Sequence, residues 1–390
     1  MYLKALVWCL SAWIASAAPS KSVVFPVKGD VYPRGLYTAA VTLGATKKTY
    51  LLDIDTGSDL TWVQCNVPSA KNHRAPNAPY TPVPAQVIPA ANPMCNALQP
   101  ISGIKKPPNP KRCDYLIKYA DGSSTQGMLI SDTVNVQFTN RTVAPLPFVF
   151  GCGYNQISGS NPPPNADGIL GLGKGKTTIL AQLGQMGVTR NVVAHCFSSN
   201  GGGSLFLGEL PPTQGVVWMP LLTKSANYYL GKAALVFGAQ TANDMNGLDI
   251  ILDSGSTYTY LASKPYKALL SLINGYLNGK PLAPVKDAAL PVCWKSSTGK
   301  TFKSVTDVAA NFQSLTLSFP NNVKFQMDPT SYLIVTTSGN VCLGILNGDE
   351  IGLKNQNLIG DISFLDKLVI YDNENGKVGW VNVKCPSNKN

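Results

Sequence analysis

Leu52-Asp53-Ile54-Asp55-Thr56-Gly57-Ser58 and Ile250-Ile251-Leu252-Asp253-Ser254-Gly255-Ser256 are two versions of one phrase, set in opposite halves of a 390-residue chain. In each, an apolar run that reads as a strand ends at an aspartate, and a turn of hydroxyl residue, glycine and serine follows. Each phrase has a later companion, an apolar pair and a glycine: Ile169-Leu170-Gly171 in the first half, Leu358-Ile359-Gly360 in the second. A chain that repeats strand, Asp turn and apolar-apolar-Gly strand is expected to build two similar lobes, each presenting one carboxylate. Length agrees, because 390 residues exceed what one hydrophobic core usually organises.

The residue types at the two turns suit peptide hydrolysis. That reaction needs a base to take a proton from water and an acid to protonate the carbonyl oxygen and then the leaving nitrogen. Two carboxylates held close cannot both ionise, so a pair sharing one proton supplies both functions. Gly57 and Gly255 permit the tight backbone that brings two loops face to face. Thr56 and Ser254 offer hydroxyls for hydrogen bonds between the halves, and Ser58 and Ser256 can donate to the outer carboxylate oxygens. A single Asp-Thr-Gly is an ordinary solvated turn; two, each leaving an apolar strand, specify the chemistry.

With these motifs the chain resembles the pepsin-type aspartic proteases, and most closely the plant nucellin-like and nepenthesin-like branch, from about Gly35 to Cys385. The start Phe25-Pro26-Val27-Lys28-Gly29-Asp30-Val31 and the run Asp59-Leu60-Thr61-Trp62 are similar to that branch too. The resemblance implies a mainly β, bilobal fold with few short helices and a cleft between the lobes. It implies Asp55 and Asp253 as the catalytic pair. Lys118-Tyr119-Ala120-Asp121-Gly122-Ser123 resembles the tip of the flap hairpin, which makes Tyr119, Asp121 and Gly122 substrate-facing, with Trp62 supporting Tyr119. No cofactor and no metal are implied, and the partner is a peptide or protein substrate.

The expected boundaries are a signal peptide at 1–17, a short segment at 18–34, a lobe carrying Asp55 at 35–212 and a lobe carrying Asp253 at 213–390. Lys4, an apolar run from Ala5 to Ala15 and the small-residue pattern Ala15-Ser16-Ala17 read as a secretory signal. Secretion or an endomembrane route is therefore expected, with no membrane anchor, since no later run is long enough to span a bilayer. The stretch before Gly35 is short for the inhibitory prosegment of pepsin-type zymogens, and no saposin-like insert fits after Asp253.

Nine cysteines fit the same compartment: Cys9 lies in the signal and eight remain, Cys65, Cys95, Cys113, Cys152, Cys196, Cys293, Cys342 and Cys385. Parity allows full pairing but does not choose partners; the family resemblance favours Cys293 with Cys342. Asn140-Arg141-Thr142 is a glycosylation sequon at Asn140. Strands are expected at Leu36–Leu43 and Thr49–Ile54, helices from Thr177 to Val188 and from Ser263 through Ile273, and a Pro-rich, disulfide-pinned surface insertion between Cys65 and Cys113.

Other chemistries are disfavoured. The net charge is +11, but Lys and Arg are scattered singly or in pairs, so nucleic-acid binding is not expected. Gly171-Leu172-Gly173-Lys174-Gly175-Lys176-Thr177 is one residue short of a phosphate-binding loop. His195-Cys196 is more consistent with a bridged cysteine than with a thiol nucleophile, two histidines are too few for a histidine metal site, and no Gly-x-Ser-x-Gly elbow occurs. A secreted, monomeric, acid-active endopeptidase is the expectation, with a non-catalytic pepsin-fold binding protein or enzyme inhibitor as the alternative. A wall protein binding anions through its basic surface is a third reading.

Overall fold

The computed structural model describes residues 22–68, 70–71, 75–98, 103, 109–157, 165–210, 212–222, 225–353 and 355–387. The proposed signal segment, His73 and Lys105-Lys106 lie outside these. The chain is mainly β, as the duplicated strand phrases imply.

Both Asp phrases build the same local arrangement. The strand Lys48–Asp55 runs parallel to Gly168–Gly171, with Asp55 beside Gly171. In the second half Leu248–Leu252 runs parallel to Asn357–Ile359, with Leu252 beside Ile359. A third strand then joins antiparallel to each companion, Trp62 opposite Ile169 and Tyr260 opposite Leu358. The apolar-apolar-Gly strands are thus wedged between the strand that ends at each Asp phrase and the strand that leaves it. Their glycines are sterically required: a Cβ on Gly360 would strike the backbone of Ser256 and Tyr258, and one on Gly171 the backbone of Asp59 and Leu60.

The halves are stitched together underneath. In one thirteen-stranded sheet, Lys367–Asp372 from the end of the chain pairs with Val192–Phe197 from the middle, which pairs through Gly203–Leu207 with Val23–Asp30. Alternate residues of Val23–Asp30 are buried, Val23, Phe25 and Val27 among them, the period-two pattern of a half-buried strand. The second half adds sheets of seven and four strands.

The expected helix at Thr177–Val188 is shorter, Ile179–Gln185. Thr178 caps its start by accepting from the Ala181 amide at 3.0 Å. Gly187, at φ +65°, ends it, with the Val188 and Gly187 amides turning back to the Leu183 and Gly184 carbonyls. The other helix, Ser263–Leu277, runs past Ile273 and buries Tyr266, Leu269, Ile273 and Leu277 on one face.

All eight expected cysteines are paired, as Cys65–Cys152, Cys95–Cys113, Cys196–Cys385 and Cys293–Cys342. The last is the pairing that the resemblance favoured. Cys95 lies in the short helix Pro93–Leu98 of the Pro-rich insertion and is tied to Cys113, at the foot of the strand Asp114–Lys118. Asn140 is exposed in the turn between the strands Ser124–Gln137 and Val143–Ile157, its side chain accepting from the Thr142 amide and hydroxyl.

Candidate active site

Each aspartate is held by its own turn. The Gly57 amide donates to Asp55 Oδ1 at 2.7 Å and the Ser58 hydroxyl to Oδ2. The Gly255 amide donates to Asp253 Oδ1 at 3.0 Å and Ser256 Oγ to Oδ2 at 2.9 Å. Inner and outer oxygens are therefore separately fixed. The glycines make this approach possible, since a Cβ at Gly57 would fall within 3.0 Å of the Asp253 carboxylate and one at Gly255 equally close to Asp55.

The turns are locked across the molecule. The Ser254 amide donates to Thr56 Oγ1 at 2.9 Å, and the Thr56 amide to Ser254 Oγ at 3.1 Å. Ser254 Oγ also donates to the Ile54 carbonyl at 2.7 Å. Thr56 and Ser254 are 0% and 1% exposed, so these bonds are shielded from competing water.

Burial sets the electrostatics. Desolvation, then the charge of Asp253, pushes Asp55 up to about 7, against the pull of the Ser58 and Gly57 donors. Asp253 is also raised, by burial above all, with Ser256, Gly255 and Asp55 opposing. One proton shared by the two carboxyl groups is the natural state of such a pair below neutrality.

Tyr119 follows Asp114–Lys118, at the bend into Ser124–Gln137. Its amide donates to the Ser123 carbonyl at 2.9 Å and the Gly122 amide to the Tyr119 carbonyl at 3.1 Å, with Gly122 at φ +82°. The Asp121 side chain accepts from the Ser123 amide at 2.8 Å. Trp62 Nε1 donates to the Tyr119 hydroxyl at 2.7 Å, and the charge of Asp55 is among the influences that raise Tyr119. The predicted hairpin tip, its tryptophan and the aspartates are thus in one place. Beneath them Trp62, Tyr115 and Ile117 pack with Ile88, Cys95 and Leu98 of the insertion.

The glycine-rich run after Gly171 holds an internal anion. The Gly175 amide donates to Asp59 Oδ1 at 2.9 Å, and a Cβ on Gly173 or Gly175 would collide with that carboxylate. The space that a phosphate would take is filled by the side chain of Asp59.

Sequence reasoning did not single out two further acids. Asp53, two residues before Asp55, and Asp361, which opens the short helix Asp361–Phe364, are both raised well above the ordinary carboxylate value by burial, then by neighbouring aspartates that include the pair itself. Asp361 is 1% exposed, and its Oδ1 has no hydrogen-bond partner among the described residues. The available signal was positional: Asp53 alternates with Asp55 on one strand, and Asp361 directly follows the Gly360 companion.

Residues 37–209 match the family described as Xylanase inhibitor N-terminal, and residues 229–382 the family described as Xylanase inhibitor C-terminal. An aspartic proteinase of Oryza sativa subsp. japonica is 41% identical over 381 residues, covering 94% of this chain and 92% of the relative. Among solved structures, the basic 7S globulin from soybean matches with a TM-score of 0.71 at 17% identity, over 94% of this chain and 96% of that one. The aspartic proteinase from Irpex lacteus matches at 0.64 and 18% identity, over 93% and 98%; these two likenesses concern the fold. With both halves matched and a proteinase relative aligned along nearly its full length, the chain belongs to the pepsin-type aspartic proteinase family of plants.

Proposed function

We propose that this protein is an acid-active endopeptidase in which Asp55 and Asp253 activate a water molecule. The observation that carries the reading is the pair itself: two carboxyl groups facing each other, the glycine of each turn leaving room for the acid of the other, and each with its inner oxygen on a glycine amide and its outer oxygen on a serine hydroxyl. Aspartic proteases are the type case of two carboxyls sharing one proton.

In the proposed cycle the ionised aspartate takes a proton from water as the oxygen attacks the scissile carbonyl, while the protonated aspartate gives its proton to the carbonyl oxygen. The resulting tetrahedral diol collapses as the leaving nitrogen is protonated, and the pair regains its single proton. Tyr119, with its hydroxyl held by Trp62, closes over the peptide and excludes water. The four disulfides suit an oxidising compartment, which supports secretion or an endomembrane route; Asn140 is the glycosylation candidate, and a monomer acting on peptides or unfolded protein is the simplest working unit.

A second reading, a non-catalytic inhibitor of other enzymes, is favoured by the descriptions of the two matched families. The intact carboxyl pair and its four donors favour catalysis. Digestion of a denatured protein between about pH 3 and pH 7, with and without a transition-state-mimicking inhibitor of aspartic proteases, separates the two readings. Inhibitor-sensitive cleavage that vanishes in Asp55→Asn and in Asp253→Asn is expected. No cleavage anywhere in that range would favour the inhibitor.

A further inference from the structure

The strand that carries Asp55 faces two ways. Leu52 and Ile54 are fully buried in the main core, and the alternate residues Asp53 and Asp55 lie on the opposite face. Strand pairing lays a row of residues across that face, two residues behind the Asp55 carboxyl: Thr38, Asp53, Ile169 and Trp62, each the register partner of the next. The second half repeats the row with different contents. Ile250 and Leu252 enter the main core, Ile251 lies on the face of Asp253, and the row reads Tyr229, Ile251, Leu358 and Tyr260. The duplication therefore sets Asp53 against Ile251: one half has an apolar shelf where the other has a carboxylic acid.

The neighbours of Asp53 on the flap side are apolar. Ile169 and Tyr119 pack against the cluster of Trp62, Tyr115 and Ile117, and Trp62 Nε1 holds the Tyr119 hydroxyl. Asp53 is only partly buried, and among the described residues no lysine, arginine or histidine forms an ion pair with it. A carboxyl set beside apolar side chains with no cation to meet it costs desolvation and returns no stability. The arrangement calls for a partner from outside the fold.

We propose that Asp53 is a specificity-determining residue, whose carboxyl receives a lysine or arginine side chain of the peptide at one of the two residues flanking the scissile bond. The proposal rests on the reading of Asp55 and Asp253 as the hydrolytic pair. Residues two apart on one strand face are about 7 Å apart, within reach of the four-carbon stem of a lysine beside the bond being cut. Ile169 and Trp62 cover that stem, and the acid meets the cationic head. Burial and the aspartates nearby keep a proton on Asp53 in the free protein; the substrate cation brings the charge that displaces this proton to solvent. The Ile251 row offers no acid, so the two flanks of the scissile bond are told apart.

The test uses peptides that differ at one residue, lysine, arginine, glutamine or leucine, placed in turn on each side of a single scissile bond. Mass spectrometry confirms the bond cut, and kcat/KM is the readout. At one of the two positions the wild-type protein is expected to prefer lysine or arginine over leucine by about thirtyfold, the scale of one charge-assisted hydrogen bond. The lysine-to-leucine ratio is compared within each variant, so a general loss of rate does not enter it. Asp53→Asn should bring the ratio close to one. Asp53→Ile, which gives the first half the residue of the second, should turn it in favour of leucine. No preference for lysine or arginine at either position would overturn the proposal. So would a ratio that Asp53→Asn leaves unchanged while every rate falls, which would make Asp53 a group that acts on the pair. If the wild-type protein cleaves none of the peptides, the catalytic reading falls. Calorimetric binding of the same peptides, with a hydroxyethylene unit in place of the scissile bond, then decides the role of Asp53. Tighter binding of the lysine peptide that is lost in Asp53→Asn supports it, and equal binding of the lysine and leucine peptides overturns it. Asp53→Asn keeps the shape of the side chain and carries both readouts if Asp53→Ile does not fold.

Discussion

Gly57 and Asp253 are in direct contact across the two halves of the molecule: a single added carbon at Gly57 would lie within 3.0 Å of the Asp253 carboxylate. Gly255 stands in the same relation to Asp55. The glycine of each turn therefore leaves room for the acid of the other, a requirement distinct from backbone freedom.

Gly57→Ala and Gly255→Ala should each push the carboxyl groups apart. Cleavage is expected to fall by about a hundredfold or more, the cost of misplacing reacting groups by roughly an ångström. Active-site titration and circular dichroism on the purified variants check that the loss is in the site and not in folding. Near wild-type kcat in Gly57→Ala would show that the pair tolerates a wider spacing.

Stability should peak at mildly acid pH. Asp55 is raised to about 7 in the folded protein from 3.8, so its contribution is complete below the ordinary carboxylate value and is lost as pH climbs through 7. Asp53, Asp253 and Asp361 are raised as well and act with the same sign. His195 works from the other side: it is lowered to about 3 from 6.5, so its contribution is present above 6.5 and is lost as pH falls toward 3. Thermal unfolding across this range should show Tm declining at both ends. In Asp55→Asn the decline toward neutral pH should shrink; an unaltered slope would mean that Asp55 is not the raised group.

Asp59→Ala empties the loop that its carboxylate fills and strands the Gly175 amide. A loss of about 1 kcal/mol is expected from leaving this partly buried donor unsatisfied. Urea denaturation measures it. Added ATP or inorganic phosphate should give the wild-type protein no protection, because the acid already occupies the place of the anion.

Removing the Cys95–Cys113 bridge by a double alanine substitution opens a loop with a sequence separation of 18. About 3 kcal/mol of stability should be lost. Because Cys113 adjoins the strand leading to Tyr119, and Leu98 packs with Trp62 and Tyr115, KM should rise as well. A denaturant midpoint that falls with KM unchanged would confine the insertion to a stabilising role.

The sequence alone determined the two Asp turns, their glycine-strand companions, a mainly β chain, an even set of bridged cysteines and the location of both longer helices. Each of these is written locally, as a strand period, a turn, a cap or a duplicated phrase, so a reader of the chain needs only neighbouring residues. The helix from Ile179 ends at Gln185, three residues short of the expected Val188, because the left-handed Gly187 just beyond it cannot continue the helix. Other features exist only where distant segments meet. Thr56 and Ser254, 198 residues apart, exchange hydrogen bonds; Cys196 finds Cys385 across 189 residues; Asp59 occupies a loop whose glycines read as a place for phosphate. His195 and Tyr371 sit in strands with nothing in their own surroundings to mark them, and only the sheet lays one beside the other. Side-chain chemistry was legible in the order of residues, whereas partnership was decided by strand pairing and burial, which bring together groups that the order of residues keeps apart.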